Sequence, residues 1–153
     1  MNKVIRKIKL PHECNGVASE REMLVISSRE RCTIVKLNDM SQTILEGVRA
    51  HRISFFKGNI YSANYFGKTI CCYKSTGEEL WTFQYEEMNV NSPGGLTLDT
   101  NGFVYWVCRR NNSIEVISAD GTSHTTILSE ADGIKDPFAN RHQQRNRDDG
   151  SCK

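Results

Sequence analysis

The 153-residue sequence lacks any apolar run that approaches the ~20 residues of a membrane-spanning helix. Its N-terminal stretch is basic but has no apolar core of the kind that a secretory signal requires. The net charge is only +2 at pH 7, which by itself is too small to indicate binding to nucleic acid or to an anionic membrane. From these absences we expect a protein that works in the cytoplasm and away from membranes.

The residue patterns of metal sites and enzymes are missing as well. None of the six cysteines forms a CxxC pair, which excludes the common zinc and thioredoxin motifs. The four histidines are scattered, so no Ser/His/Asp or Cys/His constellation can be assembled. His12, Glu13 and Cys14 are neighbours, but a single short cluster is more often coincidence than a metal site. We predict no cofactor, no catalytic residues, and cysteines that are reduced, partly buried thiols.

No segment of ten or more residues carries the apolar stripe of an amphipathic helix. The chain contains instead a repeat with a period of 44 residues. Between positions 58 and 82, five residues recur after this shift: Gly58 with Gly102, Tyr61 with Tyr105, Ile70 with Ile114, Gly77 with Gly121, and Thr82 with Thr126. A period of this length indicates a solenoid or a propeller, and the short β-rich segments favour the propeller.

Four short strands per repeat fit the sequence, with Gly, Asn, Asp or Ser between them. The predicted strands are 16–18, 23–27, 32–37 and 42–45, then 53–55, 59–63, 69–73 and 80–83, then 96–98, 103–107, 113–118 and 125–128. Because Cys71 and Cys72 are adjacent on one predicted strand, their side chains should point to opposite faces. The predicted fold class is all-β, a partial β-propeller of about three four-stranded blades.

The chain divides into three parts. Residues 1–13 are predicted to be a remnant outer strand, over 4–10, or a leader; residues 14–139 form the blades, and 131–139 resemble the entry to a further inner strand. Residues 140–153 are a polar tail with the composition of disordered segments. Known propellers use ~4 to 8 blades, so we expect part of a longer propeller. Because its edges are open, we predict that the isolated chain is marginally stable in solution or self-associates.

The third unit resembles the NHL repeat in its turn residues and strand starts. The matching residues are Asp99, Gly102, Tyr105, Asn111, Asn112, Ile114, Asp120 and Gly121. The second unit fits less well, through residues 58–61, Ile70 and Gly77, and the first unit lacks the turn glycine. This resemblance implies that the three units belong to a six-bladed propeller of the NHL or TolB-like type.

More broadly, the chain is similar to the C-terminal region of invertebrate tripartite-motif proteins. In that family a RING domain confers ubiquitin-ligase activity, B-boxes bind zinc, and the NHL propeller recruits protein or RNA. This chain has no RING or B-box pattern, so the resemblance implies a non-catalytic module that binds protein, or RNA, and derives from an E3 ubiquitin ligase. The alternative is a fragment of a metal-dependent, lactonase-like propeller hydrolase, for which the inner strands offer only Ser54, Thr97 and Asp99.

Loops between the second and third strands of the blades should lie on one rim, and they are basic and aromatic. The candidate ligand-binding residues there are Arg29, Arg31, Tyr65, Phe66, Lys68, Arg109 and Arg110. Cations beside aromatic rings suit phosphates and unstacked bases or an acidic peptide. The competing interpretation is that these residues are solvated hairpin tips, and the loops that join the blades on this rim are acidic.

Four other conspicuous residues are assigned structural roles. Asn111 and Asn112 fit a strand reversal because asparagine tolerates the turn geometry. Trp81 and Trp106 are predicted to pack between blades. The turns of the opposite rim are acidic.

Overall fold

A computed structural model describes residues 3–85, 94–108 and 112–133. These residues form three antiparallel sheets in which consecutive strands pair, which confirms the predicted all-β fold. Within these ranges no helix is long and apolar enough to cross a membrane. The strands are β1 (Gly16–Glu20), β2 (Met23–Ser27), β3 (Arg31–Lys36) and β4 (Gln42–Glu46) in blade 1, β5 (Arg52–Phe56), β6 (Asn59–Asn64), β7 (Thr69–Lys74) and β8 (Glu79–Gln84) in blade 2, and β9 (Leu96–Leu98), β10 (Val104–Cys108), β11 (Ser113–Ile117) and β12 (His124–Leu128) in blade 3.

The predicted outer strand over residues 4–10 is wrong, because this segment has no strand structure. Its hydrogen bonds with blade 1 run through side chains instead of a backbone ladder. Gln42 Nε2 donates to the carbonyl of Lys9 at 2.9 Å, and Arg6 Nη1 donates to the carbonyl of Leu37 at 3.2 Å. The segment therefore lies along the blade without extending its sheet.

The predicted further strand entry at 131–139 is described only in its first part. A short 3-10 helix spans Glu130–Asp132, and Gly133 follows it with a φ of 88°. Residues 134–139, the predicted polar tail and Cys152 lie outside the described residues.

Apolar side chains fill the two spaces between neighbouring sheets. We call the face of each blade that points toward the next blade its front, and the opposite face its back. The core between blades 1 and 2 joins a front (Val25, Cys32, Ile34, Leu45) to a back (Phe55, Ile60, Cys71, Tyr73). The core between blades 2 and 3 joins a front (Tyr61, Ala63, Ile70, Cys72) to a back (Val104, Trp106, Cys108, Ile117). Each sheet is thus held by its neighbours.

The cysteines follow this arrangement. Cys71 lies in the first core and Cys72 in the second, which confirms that they point to opposite faces. All five described cysteines are free thiols. Burial raises the pKa of Cys32 to about 12 and that of Cys72 to about 11, so both thiols stay protonated at neutral pH and serve as small core residues.

Both tryptophans pack between blades 2 and 3, as predicted. Trp81 Nε1 donates to the carbonyl of Ala119 at 3.1 Å, and its ring lies directly over Gly121. Trp106 is 2% exposed, with its ring centroid 5.1 Å from that of Tyr85. Aromatic rings therefore join the outer and inner parts of the same interface.

The inner strands β1, β5 and β9 are linked by polar contacts. Ser54 Oγ donates to the carbonyl of Leu96 at 3.3 Å. The carboxylate of Glu20 in blade 1 accepts the backbone N–H groups of Lys57 and Gly58, at 2.5 and 2.8 Å, in the first turn of blade 2. Blade 1 thereby completes the hydrogen bonding of a turn that belongs to blade 2.

Replacing Gly121 by alanine should destabilise the protein more than the same change at Gly47. Both glycines have a positive φ, but only Gly121 is packed against another side chain. Gly121 has a φ of 74°, and an added Cβ would overlap the Trp81 ring. We expect Gly121→Ala to lower the free energy of unfolding by about 3 kcal/mol. Gly47→Ala, at a φ of 84° with no atom within 4 Å, should cost about 1 kcal/mol. Urea denaturation measures both, and equal losses would contradict the inferred packing of Trp81.

Removing the Glu20 carboxylate should weaken the junction between blades 1 and 2. Glu20→Ala leaves two backbone donors without their charged acceptor, so we expect a loss of about 1–2 kcal/mol in unfolding free energy. Glu22→Ala is the control, because this exposed carboxylate makes no hydrogen bond or ion pair with the part of the chain that the structure describes. Urea denaturation curves that shift equally for both variants would speak against the junction.

Candidate functional site

Three segments bring an aromatic and cationic group together on the rim that carries the β2–β3 and β6–β7 loops. The His51 ring, from the segment between β4 and β5, stacks on Tyr65 with centroids 4.3 Å apart and planes at 12°. It meets the Phe66 ring edge-on at 5.1 Å. The guanidinium carbon of Arg29 lies 5.8 Å from the Phe66 centroid. We call Arg29, His51, Tyr65 and Phe66 the rim cluster.

Local hydrogen bonds hold the β2–β3 loop that presents Arg29. The Ser28 hydroxyl oxygen accepts the backbone N–H groups of Glu30 and Arg31, at 3.2 and 3.1 Å. The same hydroxyl donates to the carbonyl of Arg31 at 2.9 Å. A serine that bonds to the backbone of its own turn restricts the conformation of the loop. The backbone of Arg29, which lies within this turn, is therefore held in one position.

His51 connects the blade-joining segment to the β6–β7 loop. Its ring Nδ1 accepts the backbone N–H of Tyr65 at 3.2 Å, and the backbone N–H of His51 donates to the carbonyl of Ala63 at 2.9 Å. Burial of the ring, followed by the charges of Arg29 and Arg52, lowers the pKa of His51 below its usual value. The neutral imidazole is therefore favoured, which leaves Nδ1 free to accept this hydrogen bond.

The predicted site residues have four different outcomes, and that of Lys68 is given in the next paragraph. Arg29, Tyr65 and Phe66 belong to the rim cluster, and Phe66 is 77% exposed. Arg31 instead forms ion pairs with Glu46 at 3.5 Å and Glu30 at 3.8 Å. Arg109, Arg110 and Asn111 lie outside the described residues.

Lys68 has a backbone role in its turn. Its φ is 53°, and Asn112, 44 residues later in the equivalent turn, has a φ of 47°. Asn112 thus has the turn role predicted for it, in a left-handed conformation, and Lys68 takes the same backbone position in blade 2. Its carbonyl also accepts the N–H of Tyr85 at 3.1 Å.

Sequence reasoning missed His51, although it supplies the ring against which Tyr65 stacks. The residue stands alone among polar neighbours, and no motif marks it. The predicted topology contained one usable signal, since the segments that join blades share a rim with the β2–β3 and β6–β7 loops. Any aromatic or heterocyclic side chain in those segments is a candidate partner for Tyr65 and Phe66.

Two acidic residues of the opposite rim, Asp120 and Glu78, are engaged in their own turns. Hydrogen bonds from the hydroxyls of Ser118 and Thr122 lower the pKa of Asp120 to about 2. Lys74 Nζ lies 2.8 Å from a carboxylate oxygen of Glu78. These carboxylates are held by local turn contacts.

A cavity of about 820 Å³ opens between the inner strands and the front of blade 3. Blade 3 contributes Tyr105, Val107, Ile114 and Ile127 to its lining, among others. The lining also includes residues of the inner strands of all three blades and His51 of the rim cluster. The proposed ligands of a hydrolase metal have other contacts: Ser54 donates to Leu96, and an Asp99 carboxylate oxygen accepts from Tyr105 Oη at 3.0 Å. Over the described ranges, no three His, Cys, Asp or Glu side chains form a group that could hold a metal ion.

The His12, Glu13 and Cys14 cluster is engaged in local contacts. His12 Nδ1 lies 2.7 Å from the carbonyl oxygen of Glu13, and Nε2 lies 2.6 Å from Oγ1 of Thr33 on β3. Cys14 Sγ lies 3.8 Å from the carbonyl oxygen of His12. The histidine thus ties the N-terminal segment to blade 1.

The chain matches no protein-family model and no curated protein, but it is similar to solved structures. The computationally designed Ika4 protein shares 12% identity at a TM-score of 0.64, over 84% of this chain and 79% of that one. A chain of the Nidogen/Laminin complex shares 18% at 0.60, over 80% and 49%. Streptogramin B lyase shares 13% at 0.62, over 76% and 42%.

These similarities, with the three four-stranded sheets, show that the fold is a partial β-propeller. The chain spans 49% and 42% of the last two structures. One of the three neighbours is a lyase and another is a designed protein, so the shared fold leaves the function open.

Acidification should destabilise the rim through His51. Because its pKa is lowered in the folded state, the ring binds fewer protons there than in the unfolded chain. Its contribution is present above the unfolded pKa of about 6.5 and is lost as the pH falls below that value. The melting temperature should therefore fall between about pH 7.5 and pH 5.5, and it should fall less in His51→Gln. Thermal melts followed by circular dichroism measure the difference, and identical pH profiles would contradict it.

Proposed function

We propose that this chain is a non-catalytic interaction module that binds a protein partner through the rim cluster. The observation that supports this proposal is the position of Phe66, a large aromatic ring that is 77% exposed yet packed edge-on against His51. An exposed aromatic side chain held in place loses little conformational freedom on binding. Such anchors supply most of the energy of protein interfaces.

The chemistry of the rim cluster suits an acidic segment that carries an apolar side chain. Phe66 offers apolar surface, and the Arg29 guanidinium beside it offers a planar charge that a carboxylate can engage with two hydrogen bonds. The contact between Arg29 and Phe66 also keeps the guanidinium over the aromatic surface. A carboxylate and an apolar group a few residues apart would meet both features together.

The charges of this rim favour protein over RNA. Arg31 is paired with Glu30 and Glu46, so its charge is largely neutralised locally. RNA that binds through its backbone is held by several phosphate contacts, each with its own cation. Arg29, Arg49 and Lys68 are three such cations among the described loops of this rim, fewer than a tract of phosphates would engage.

The proposal extends to the origin and the setting of the module. The NHL-like residues Asp99, Gly102 and Tyr105 support descent from a tripartite-motif E3 ubiquitin ligase, in which a RING domain would supply the ubiquitination activity. In such a ligase, this module would select the protein partner, and it would act in the cytoplasm. The lactonase-like alternative gains little from its proposed ligands, because Ser54 and Asp99 are used in hydrogen bonds within the fold.

The proposed function is tested with the full chain and two panels of labelled ligands. One panel contains acidic peptides with a single aromatic or leucine residue, and the other contains single-stranded RNA oligonucleotides. We expect binding in the peptide panel by fluorescence anisotropy, and Phe66→Ala should weaken it at least about tenfold. Phe103→Ala is the matched control, since Phe103 is a 40% exposed phenylalanine in the first turn of blade 3.

A second pair of variants tests the cation. Arg29→Glu should weaken peptide binding, whereas Arg21→Glu, in the β1–β2 turn on the opposite rim, should leave it unchanged. Equal losses in the control variants would remove the rim cluster as the site. Binding confined to RNA, with an affinity that falls steeply with salt, would replace the protein partner with a nucleic acid.

A further inference from the structure

The fronts of the three blades occupy equivalent positions but differ in burial. Tyr61 in blade 2 and Tyr105 in blade 3 are the same repeat position, as are Ile70 and Ile114. Tyr61 is 5% exposed and Ile70 is fully buried under blade 3. Tyr105 and Ile114 are only half-buried, and they line the cavity of about 820 Å³. The front of blade 3 is thus a blade-packing surface that no described blade covers.

The back of blade 1 is the opposite end of the arc, and it is covered without a blade. Ile26, Thr33 and Val35 on this face are 6%, 0% and 0% exposed. The segment 3–13 contacts this face through its later residues: His12 Nε2 lies 2.6 Å from Thr33 Oγ1, the Lys9 carbonyl accepts from Gln42, and Leu10 is half-buried. We call this segment the cap.

We propose that a second copy of this chain occupies the front of blade 3, with the back of its blade 1 in place of the missing blade. The same contact made in both directions joins two copies by a two-fold axis. It gives a closed ring of six blades, within the usual range of propellers. The cap must leave the back of blade 1 before this ring can close.

The internal interfaces of the chain indicate this occupant. A front packs against a back twice within the molecule, once in each core, and the ring adds a third contact of the same kind. The front of blade 3 contributes uncharged side chains to the cavity, namely Thr97, Tyr105, Val107, Ile114 and Ile127, and the charged residue of its lining, Arg52, comes from blade 2. Among the described residues, the back of blade 1 is the remaining back that does not already face a front.

The cap should lower the affinity of one copy for the other, because both occupy the back of blade 1. Side-chain hydrogen bonds from Arg6, His12 and Gln42 hold it, and it pairs with no strand. Such contacts are weaker than a fully packed blade interface. The cap therefore competes with the second copy, and loosening it should strengthen the dimer.

Analytical ultracentrifugation of the full chain over a range of concentrations tests the proposal. We expect a monomer–dimer equilibrium. Leu10→Asp in the cap should tighten the dimer by about tenfold or more, and Ile127→Glu on the front of blade 3 should weaken it by at least that factor. Val4→Asp is the control for the cap, because Val4 is 67% exposed. Leu80→Glu is the control for the front, because Leu80 is 43% exposed on β8, against 44% for Ile127 on β12.

Circular dichroism establishes that each variant is folded, and Thr97→Asp, an exposed polar position on the same front, replaces Ile127→Glu if that variant is not. A monomer at every concentration, in both the original chain and Leu10→Asp, would overturn the proposal. A dimer that Leu10→Asp weakens would also overturn the proposal. Small-angle scattering should give a compact disc for the ring, and an elongated dimer would mean front-to-front pairing instead.

None of these variants touches the rim cluster. A failure of this proposal therefore leaves the proposed function standing.

Discussion

Packing of one sheet face against the next is the constraint on which the other features of this molecule depend. A four-stranded sheet of this size has no interior of its own, so its apolar residues are buried only where another face meets it. Blade 2 shows the result most clearly, because both of its faces are buried, and its adjacent cysteines fall into different cores. The aromatic rings of Trp81 and Trp106 extend the second of these cores from its outer edge to its interior.

The same constraint positions the rim cluster. Once blades 1 and 2 are packed, the segment that joins them must pass beside the β6–β7 loop, and His51 is then within reach of Tyr65. Arg29 comes from the blade on the other side of that joint. The cluster is therefore a product of the interface between two blades, and it exists only when both are correctly packed.

Much of the fold could be predicted from the sequence, because the repeat and its alternating residues report which faces are buried. Strand β2 and strand β9 have the predicted bounds, and the others differ by only one or two residues at either end. The prediction failed at residues 4–10, because a short segment with apolar residues carries no information about whether its backbone pairs with a sheet. At Lys68 the turn position is held by a basic residue whose type suggests a ligand contact more readily than a left-handed backbone. His51 could not be found from local sequence, since its importance comes from loops that are distant along the chain.

Each sheet is built from four consecutive strands, and no strand crosses from one sheet to another. The contacts that close a blade are therefore close in sequence, and the entropy needed to bring them together is small. The interfaces between blades, in contrast, join segments that are farther apart along the chain. In evolutionary terms, whole blades can be gained or lost by duplication or deletion without changing the strand register of those that remain.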